Sequence, residues 1–173
     1  MTPDPSSSLR GIPEKQYGTS HQDHLLEQYK LYVQMADKIS ERRQGANAYF
    51  LTINTALVSL LALAWPTEIK PFMGTVWHAL AACAGMILCY SWYRLVRSYR
   101  DLNSGKFRVI HEIENYLPLR PYAAEWISLG RGDNPNLYLP FTHIEILVPW
   151  VFFVMYLVVA TVPILSQAAN GSP

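Results

Sequence analysis

Two uncharged apolar runs, joined by a turn of a few residues, constrain this chain more than any other feature. Residues 46–65 read ANAYFLTINTALVSLLALAW, and residues 72–93 read FMGTVWHALAACAGMILCYSWY. A helix needs about 20 apolar residues to cross about 30 Å of hydrocarbon at about 1.5 Å per residue. The segment between the runs, residues 66–71, is too short to hold a domain. The pattern therefore predicts a transmembrane helical hairpin.

A third apolar run, residues 146–165, reads ILVPWVFFVMYLVVATVPIL and predicts a third span. It has no charged residue, whereas a helix lying in the membrane interface needs a strongly polar face. Its prolines, Pro149 and Pro163, lie near its two ends, where a missing N–H costs little. Residues 166–173 would then form a short C-terminal tail.

Segments of mixed polarity flank the hairpin. In residues 21–45 apolar side chains recur every three or four positions. Residues 94–143 carry a weaker stripe of the same kind, which includes Leu102. These two segments are expected to form helices that pack on each other. Gly105 leaves a helix break open as an alternative, because glycine weakens a helix by about 1 kcal/mol. Pro121 is expected to begin a short connector helix that Gly130 ends.

The expected fold class is all-α: an integral membrane protein with a transmembrane helical hairpin and a third transmembrane helix. Long helices would extend from the spans into a cytoplasmic helical module. Residues 1–20 are rich in Pro, Ser and Gly and are expected to be a flexible tail, and residues 21–165 would form a single membrane domain.

Charge sets the expected orientation. The turn at residues 66–71 offers Lys70 as its one cation, whereas many cations flank the hairpin: Lys38, Arg42, Arg43, Arg94, Arg97, Arg100, Lys106 and Arg108. Because Lys and Arg bias a loop toward the cytoplasm, we expect a multi-pass protein with a cytoplasmic N-terminus and an outer C-terminus. Trp92 is then expected at the inner membrane interface, where tryptophan is enriched.

Several classes of function find no support in the chain. Its net charge of +1 provides no long-range field for nucleic acid. Nucleophile-elbow, P-loop, dinucleotide and zinc-protease motifs are all missing, and the His-containing clusters at 21–24 and 111–114 lack further fixed metal ligands. Cys83 and Cys89 would point in different directions on a helix, so we expect no disulfide and interpret both as buried small side chains. We expect no enzyme, no cofactor and no metal.

Polar side chains inside the spans are the first candidate functional residues, because they are costly in hydrocarbon. Asn47 and Asn54 are seven residues apart and share one face of the first span. They either line a pore in an oligomer or form hydrogen bonds between helices, and both interpretations remain open. His78, near the outer end of the second span, either titrates, pairs with Asn54 or bonds a neighbouring helix.

Two further sets of residues concern packing and the membrane boundary. Ala81 and Gly85 form a small-xxx-small pair that allows close helix packing, either within the hairpin or between subunits. Arg94, Arg97 and Glu145 mark the boundary of the membrane, where Glu145 is expected to be hydrated or paired with one of the arginines.

Three segments resemble a known family. They are residues 29–61, residues 98–132 (SYRDLNSGKFRVIHEIENYLPLRPYAAEWISLGRG) and residues 137–152 (LYLPFTHIEILVPWVF). In this order they resemble the bacterial RipA-family octameric membrane proteins. The resemblance implies an inner-membrane protein that assembles as a homo-oligomer, an octamer, and it brings no catalytic residues. The helix–hairpin–helix order is also similar to SLATT-type two-span effector domains, from which this chain departs by its third span.

The leading hypothesis is a non-enzymatic homo-oligomeric protein of the bacterial inner membrane. It would act as a membrane-organising scaffold or partner-binding platform through its cytoplasmic helices, with lipid, copies of itself and a cytoplasmic protein as partners. The alternative is a ring-forming channel or membrane-perturbing effector, motivated by Asn47 and Asn54. A lipid-modifying enzyme built on Arg120, His143 and Glu145 is a further alternative.

Overall fold

The helices follow the apolar runs closely. A computed structural model describes Leu9 and residues 11–63, 71–134, 137–138 and 142–170. All regular structure in these residues is helical: α1 (Glu14–Tyr17), α2 (His21–Leu63), α3 (Pro71–Glu114), α4 (Pro121–Ser128), a 3₁₀ turn (Gly130–Gly132) and α5 (Thr142–Asn170). Helices α2, α3 and α5 each contain a stretch long and apolar enough to cross a membrane. The prediction of an all-α protein with three spans is confirmed, while most of the predicted turn lies outside the described residues.

The two longest helices run without a break. Helix α2 has 43 residues and α3 has 44. The break considered at Gly105 does not occur, and a Cβ placed there would meet nothing within 4 Å. A single glycine costs about 1 kcal/mol, which the burial of the apolar Ile110 and Ile113 later in the same helix offsets.

The described chain forms two compact units. The arm unit comprises Met1–Arg43 and Tyr99–Pro140, and the span unit comprises Gln44–Ser98 and Phe141–Pro173. The one-turn helix α1 lies in the part of the arm unit that was expected to be a flexible tail. Its Tyr17 hydroxyl lies 2.8 Å from Nδ1 of His24 on α2.

The two long helices contact each other in the arm unit. Ala36 and Ile39 of α2 and Ile110 and Ile113 of α3 are buried there. Apolar residues three and four apart share one face of a helix, so each pair forms part of a continuous inner stripe.

The inner face of α3 differs from the predicted stripe. The stripe includes Leu102, which is 52% exposed, whereas Lys106 is 9% exposed and Glu114 is fully buried. The ammonium of Lys106 lies 4.3 Å from the centre of the Tyr32 ring, a cation–π contact that offsets part of its desolvation. A hydropathy pattern cannot predict buried charges of this kind, because it assigns charged residues to solvent.

Side chains from all three spans meet in one apolar cluster in the span unit. The cluster joins Leu61 of α2, Ala82 and Cys89 of α3, and Tyr156 of α5. Ala81 packs against the same cluster. Both cysteines carry free thiols, as predicted, but Cys83 is exposed and not buried as the sequence suggested. It lies one residue beyond the buried Ala82, which is enough on a helix to turn it outward.

Gly85 permits the close approach of α3 and α5. A Cβ at Gly85 would fall 2.5 Å from the Tyr156 ring, closer than carbon atoms can approach. The predicted small-xxx-small surface of Ala81 and Gly85 therefore packs within the subunit, against the third span.

Candidate functional site

Asn54 connects all three spans of the span unit. Its side chain is fully buried, and its Oδ1 accepts hydrogen bonds from the Tyr156 hydroxyl at 3.1 Å and from the Cys89 thiol at 3.3 Å. Its Nδ2 donates to the carbonyl oxygen of Phe50 one turn earlier, at 2.8 Å. One amide thus satisfies polar groups from two other helices, which is the efficient arrangement where no water is available.

Asn47 forms a second connection two turns earlier on the same face. Its Nδ2 donates to Oε1 of Glu145 on α5 at 3.0 Å, and its Oδ1 accepts from the Trp92 indole N–H at 2.8 Å. The Phe50 ring stacks on Trp92 with centroids 5.8 Å apart. Trp92 was expected at the membrane interface but is 2% exposed, because its indole N–H finds its partner between the helices.

We call these two clusters the polar ladder: Asn47, Asn54, Cys89, Trp92, Glu145 and Tyr156. Both asparagines contact side chains of α3 and α5, and these contacts lie within one subunit. Hydrogen bonding between helices accounts for them. A pore lined by these side chains remains a prediction that no contact of the described residues supports.

The other predicted residues of the spans do not join the polar ladder at Asn54. His78 is half-buried on α3 and lies 11 residues before Cys89, about 16 Å along a helix. It therefore does not reach Asn54. Arg94 and Arg97 are exposed beyond the second span, and Nη1 of Arg97 donates to the Tyr93 hydroxyl at 3.1 Å.

The outer face of the first span carries small and hydroxyl side chains. Ala48, Thr52, Thr55 and Ser59 are exposed and recur every three or four residues, and we call them the hydroxyl face. The Thr52 hydroxyl donates to the carbonyl oxygen of Ala48 at 2.9 Å. In the sequence the hydroxyl residues lie next to Asn54. In the structure the Asn54 side chain is buried whereas the hydroxyl face is exposed, so the two lie on different sides of α2.

A buried carboxylate organises the arm unit. Glu114 ends α3 with no exposed surface, and both of its oxygens accept hydrogen bonds. Oε1 accepts from the backbone N–H of Tyr122 at 2.9 Å and from the Tyr29 hydroxyl at 3.1 Å, and Oε2 accepts from the N–H of Ala123 at 3.0 Å. Glu114 therefore joins α2, α3 and the N-terminus of α4.

The sequence around α4 explains why it uses a distant carboxylate. Pro121 begins the helix and has no N–H, and Arg120 before it makes no side-chain cap. The next two backbone N–H groups need acceptors, and a negative charge at a helix N-terminus is favourable. Glu114 fills the role that a short polar N-cap residue usually has. Sequence alone places it only in the metal-capable cluster at 111–114, because local spacing does not show which carboxylate returns to a helix end.

Glu114 and burial together change the acidity of Tyr29. Burial, the hydrogen bond to Glu114 and the nearby negative charge together raise the pKa of the Tyr29 hydroxyl to about 12, with burial the largest cause. Burial likewise raises the pKa of Tyr122, with contributions from Asp37, Glu125 and Glu114. Both hydroxyls therefore keep their protons to a higher pH than an ordinary tyrosine does.

This shift predicts a loss of stability at high pH. Tyr29 ionises near the ordinary tyrosine pKa of 10.0 when the chain is unfolded, and its pKa is about 12 when the chain is folded. Between these values the folded state binds the extra proton, so stability is complete below about pH 10 and falls as pH rises toward 12. The unfolding midpoint of the wild type, followed by circular dichroism, should fall more steeply in this window than that of Tyr29→Phe. Parallel curves would contradict the assignment.

Helix α4 and the segment directly before it present large apolar side chains outward. Leu119, Trp126 and Ile127 are 78%, 41% and 61% exposed, and we call them the connector platform. The inner side of α4 is held by Glu114 and by Tyr122, whose ring lies 5.7 Å from that of Phe107. Trp126 and Ile127 of the platform thus belong to a helix that contacts with α3 hold in place in the arm unit.

The turn after α4 supports Trp126. Gly130, Arg131 and Gly132 all have positive φ, at 64°, 56° and 76°. A Cβ at Gly132 would lie 3.1 Å from the Trp126 ring, so the turn passes directly over the indole. A non-glycine residue at positive φ is uncommon. Arg131 adopts it between two glycines, which accept positive φ without strain.

Comparison with known proteins gives one family. A model of the octameric membrane protein family (8xMP) matches residues 26–165, which include all three spans and the connector. No curated protein and no solved structure matches the chain.

Proposed function

The chain belongs to the octameric membrane protein family, and on this premise we propose that it acts as a non-enzymatic homo-octameric scaffold of the bacterial inner membrane. The family match and the three candidate spans make it a multi-pass membrane protein of an oligomeric family. In the proposal the arm unit lies in the cytoplasm, the C-terminus lies outside, and the connector platform binds a cytoplasmic protein partner.

The exposed connector platform is the observation that carries this proposal. Single exposed apolar residues are normal, but Trp126 and Ile127 are adjacent on a short helix whose N-terminus is anchored by a buried carboxylate. Tryptophan anchors on rigid elements are typical of binding surfaces, because little conformational entropy is lost on binding. Eight copies in one assembly would present eight such platforms, and multivalency would strengthen weak individual contacts.

Photo-crosslinking in intact membranes tests the platform. A photoreactive amino acid at the position of Ile127 should give an adduct with a second protein that mass spectrometry identifies. The same probe at the exposed Glu125, about 200° away around α4, is the matched control. An adduct made only of this chain would assign the platform to the contact between subunits, and absence of any specific adduct would reject the partner role.

The oligomer itself is tested by mass photometry of the purified protein in nanodiscs. The expected protein mass is eight times the chain mass of 19.7 kDa. A monomeric species in gentle detergent and in nanodiscs would contradict the proposal.

The hydroxyl face supports a second candidate function, a ring-forming channel or membrane-perturbing effector. Lipid-facing surfaces are usually aliphatic, like the exposed Leu147, Val151 and Val154 of the third span. A surface of threonine, serine and alanine instead suits contact between helices or a water-filled axis. In this second candidate function the hydroxyl face, and not Asn54, lines the conducting path.

Planar-bilayer recording separates the two functions. If the chain conducts, Thr55→Val should change single-channel conductance, because it removes a hydroxyl while keeping side-chain shape. Val58→Ala, at a half-buried position on the same helix, is the control. Absence of conductance in the reconstituted oligomer favours the scaffold.

A further inference from the structure

An apolar aromatic groove lies between the second and third spans. It is a shallow surface groove lined by Cys89, Tyr90, Tyr93, Pro149, Trp150 and Phe153. The rings of Tyr93 and Trp150 lie 5.5 Å apart, as do those of Trp150 and Phe153. The Tyr93–Trp150 contact crosses from α3 to α5, and the two ring contacts together give the groove a fixed wall.

Two arginines follow the groove on α3. Arg94 is four residues after Tyr90, and Arg97 is four residues after Tyr93, so each lies beside a groove residue on the helix surface. The Arg97 guanidinium lies 5.8 Å from the centre of the Tyr93 ring and donates to its hydroxyl at 3.1 Å. Both contacts hold this guanidinium at the rim of the groove.

Among the described residues, the charged side chains near this rim are two guanidinium groups and one carboxylate. Glu145 is the nearest carboxylate along α5, one turn before Pro149, and its Oε1 accepts a hydrogen bond from Asn47 inside the polar ladder. Arg94 and Arg97 are both exposed. The rim thus combines two exposed guanidinium groups with an apolar groove that begins one turn away.

We propose that this groove selectively binds an anionic phospholipid, with one acyl chain against Tyr90, Trp150 and Phe153 and the phosphate on Arg94 and Arg97. A guanidinium matches the geometry of a phosphate, and basic sites between transmembrane helices are suited to anionic headgroups. A zwitterionic lipid brings a cation toward the same arginines and is disfavoured. The inference concerns selection among lipids, since every span contacts some lipid.

Tryptophan quenching measures this selection in the full chain. The protein is reconstituted in phosphatidylcholine bilayers that contain either phosphatidylglycerol or phosphatidylcholine with brominated acyl chains. The difference between wild type and Trp150→Phe isolates the signal from the groove. We expect phosphatidylglycerol to occupy the groove in preference to phosphatidylcholine by about fivefold for each arginine.

Two variants and their controls test the two parts of the site. Arg94→Gln with Arg97→Gln should abolish the preference, whereas Arg108→Gln with Arg131→Gln, two exposed arginines of the arm unit, should preserve it. Tyr90→Ala should reduce quenching of Trp150 by the anionic lipid, whereas Ile87→Ala should not. Tyr90 and Ile87 are 55% and 66% exposed, so neither change removes a core side chain.

Three results would overturn the proposal. Equal quenching by the two lipids would show that the groove contacts boundary lipid without selecting among headgroups. A preference that survives loss of both arginines would remove the headgroup contact. A preference that is unchanged in Tyr90→Ala and is competed by soluble glycerol phosphate would indicate a surface anion site without the groove.

Discussion

Replacing Glu114 by alanine is expected to release the N-terminus of α4 and to destabilise the arm unit by about 3 kcal/mol. The change leaves two backbone N–H groups and the Tyr29 hydroxyl without their acceptor, and hydrogen bonds to a charged group contribute about 1.5–3 kcal/mol each before partial rehydration. Amide hydrogen exchange reports the effect directly. The amides of Tyr122 and Ala123 should exchange about 100-fold faster in the variant, since about 1.4 kcal/mol corresponds to a factor of ten.

Glu112→Ala is the matched control for this prediction. Glu112 lies two residues earlier on α3, and its carboxylate accepts from the exposed side chain of Asn115. Its loss should change stability by less than about 0.5 kcal/mol. The stability lost in Glu114→Gln should fall between the losses in the two alanine variants. The amide keeps one acceptor oxygen, but its NH₂ group would face other donors. Unchanged exchange in Glu114→Ala would show that α4 does not depend on this carboxylate.

The Gly85→Ala variant should lose about 1–3 kcal/mol of stability in the span unit, the usual cost of overpacking a core. The added methyl group would lie 2.5 Å from the Tyr156 ring, so the ring or the helices must move. Movement of Tyr156 also weakens its hydrogen bond to Asn54. A lower unfolding midpoint in detergent titration, with loss of helix measured by circular dichroism, would show the effect.

Two comparisons make the Gly85 prediction specific. Gly105→Ala should stabilise by about 0.5–1 kcal/mol, because this helical glycine has nothing within 4 Å of its Cβ position. In a Tyr156→Leu background Gly85→Ala should cost less than in the wild type, because the ring that it would contact is gone. Equal costs in both backgrounds would show that Tyr156 does not determine the need for glycine.

The sequence predicted the features of this protein that depend on neighbouring residues. Three apolar runs, each near the length of a membrane crossing, predicted three long helices, and these were found. Pro121 and Gly130 correctly predicted a short connector helix, Pro121–Ser128, because a proline without an N–H suits the first helical position and a glycine accepts positive φ. The three segments that resemble the octameric membrane proteins likewise predicted the family to which the chain belongs.

The inward face of each helix was harder to predict. The α3 stripe included Leu102, whereas the folded arm unit buries Lys106 and Glu114. Hydropathy assigns a charged residue to solvent and carries no information about an aromatic ring or a helix end that will receive it. The same limitation placed Trp92 at the membrane interface, although its N–H has a partner between the helices.

By itself, then, the sequence determined an all-α membrane protein with three spans and two amphipathic arms, because hydropathy, helical period and proline chemistry act over a few turns. Only the tertiary structure decided what the polar residues do. Asn54 meets Tyr156 102 residues later, and Glu114 meets Tyr29 85 residues earlier. A buried polar group needs a partner, and the partner's identity depends on which helices pack together.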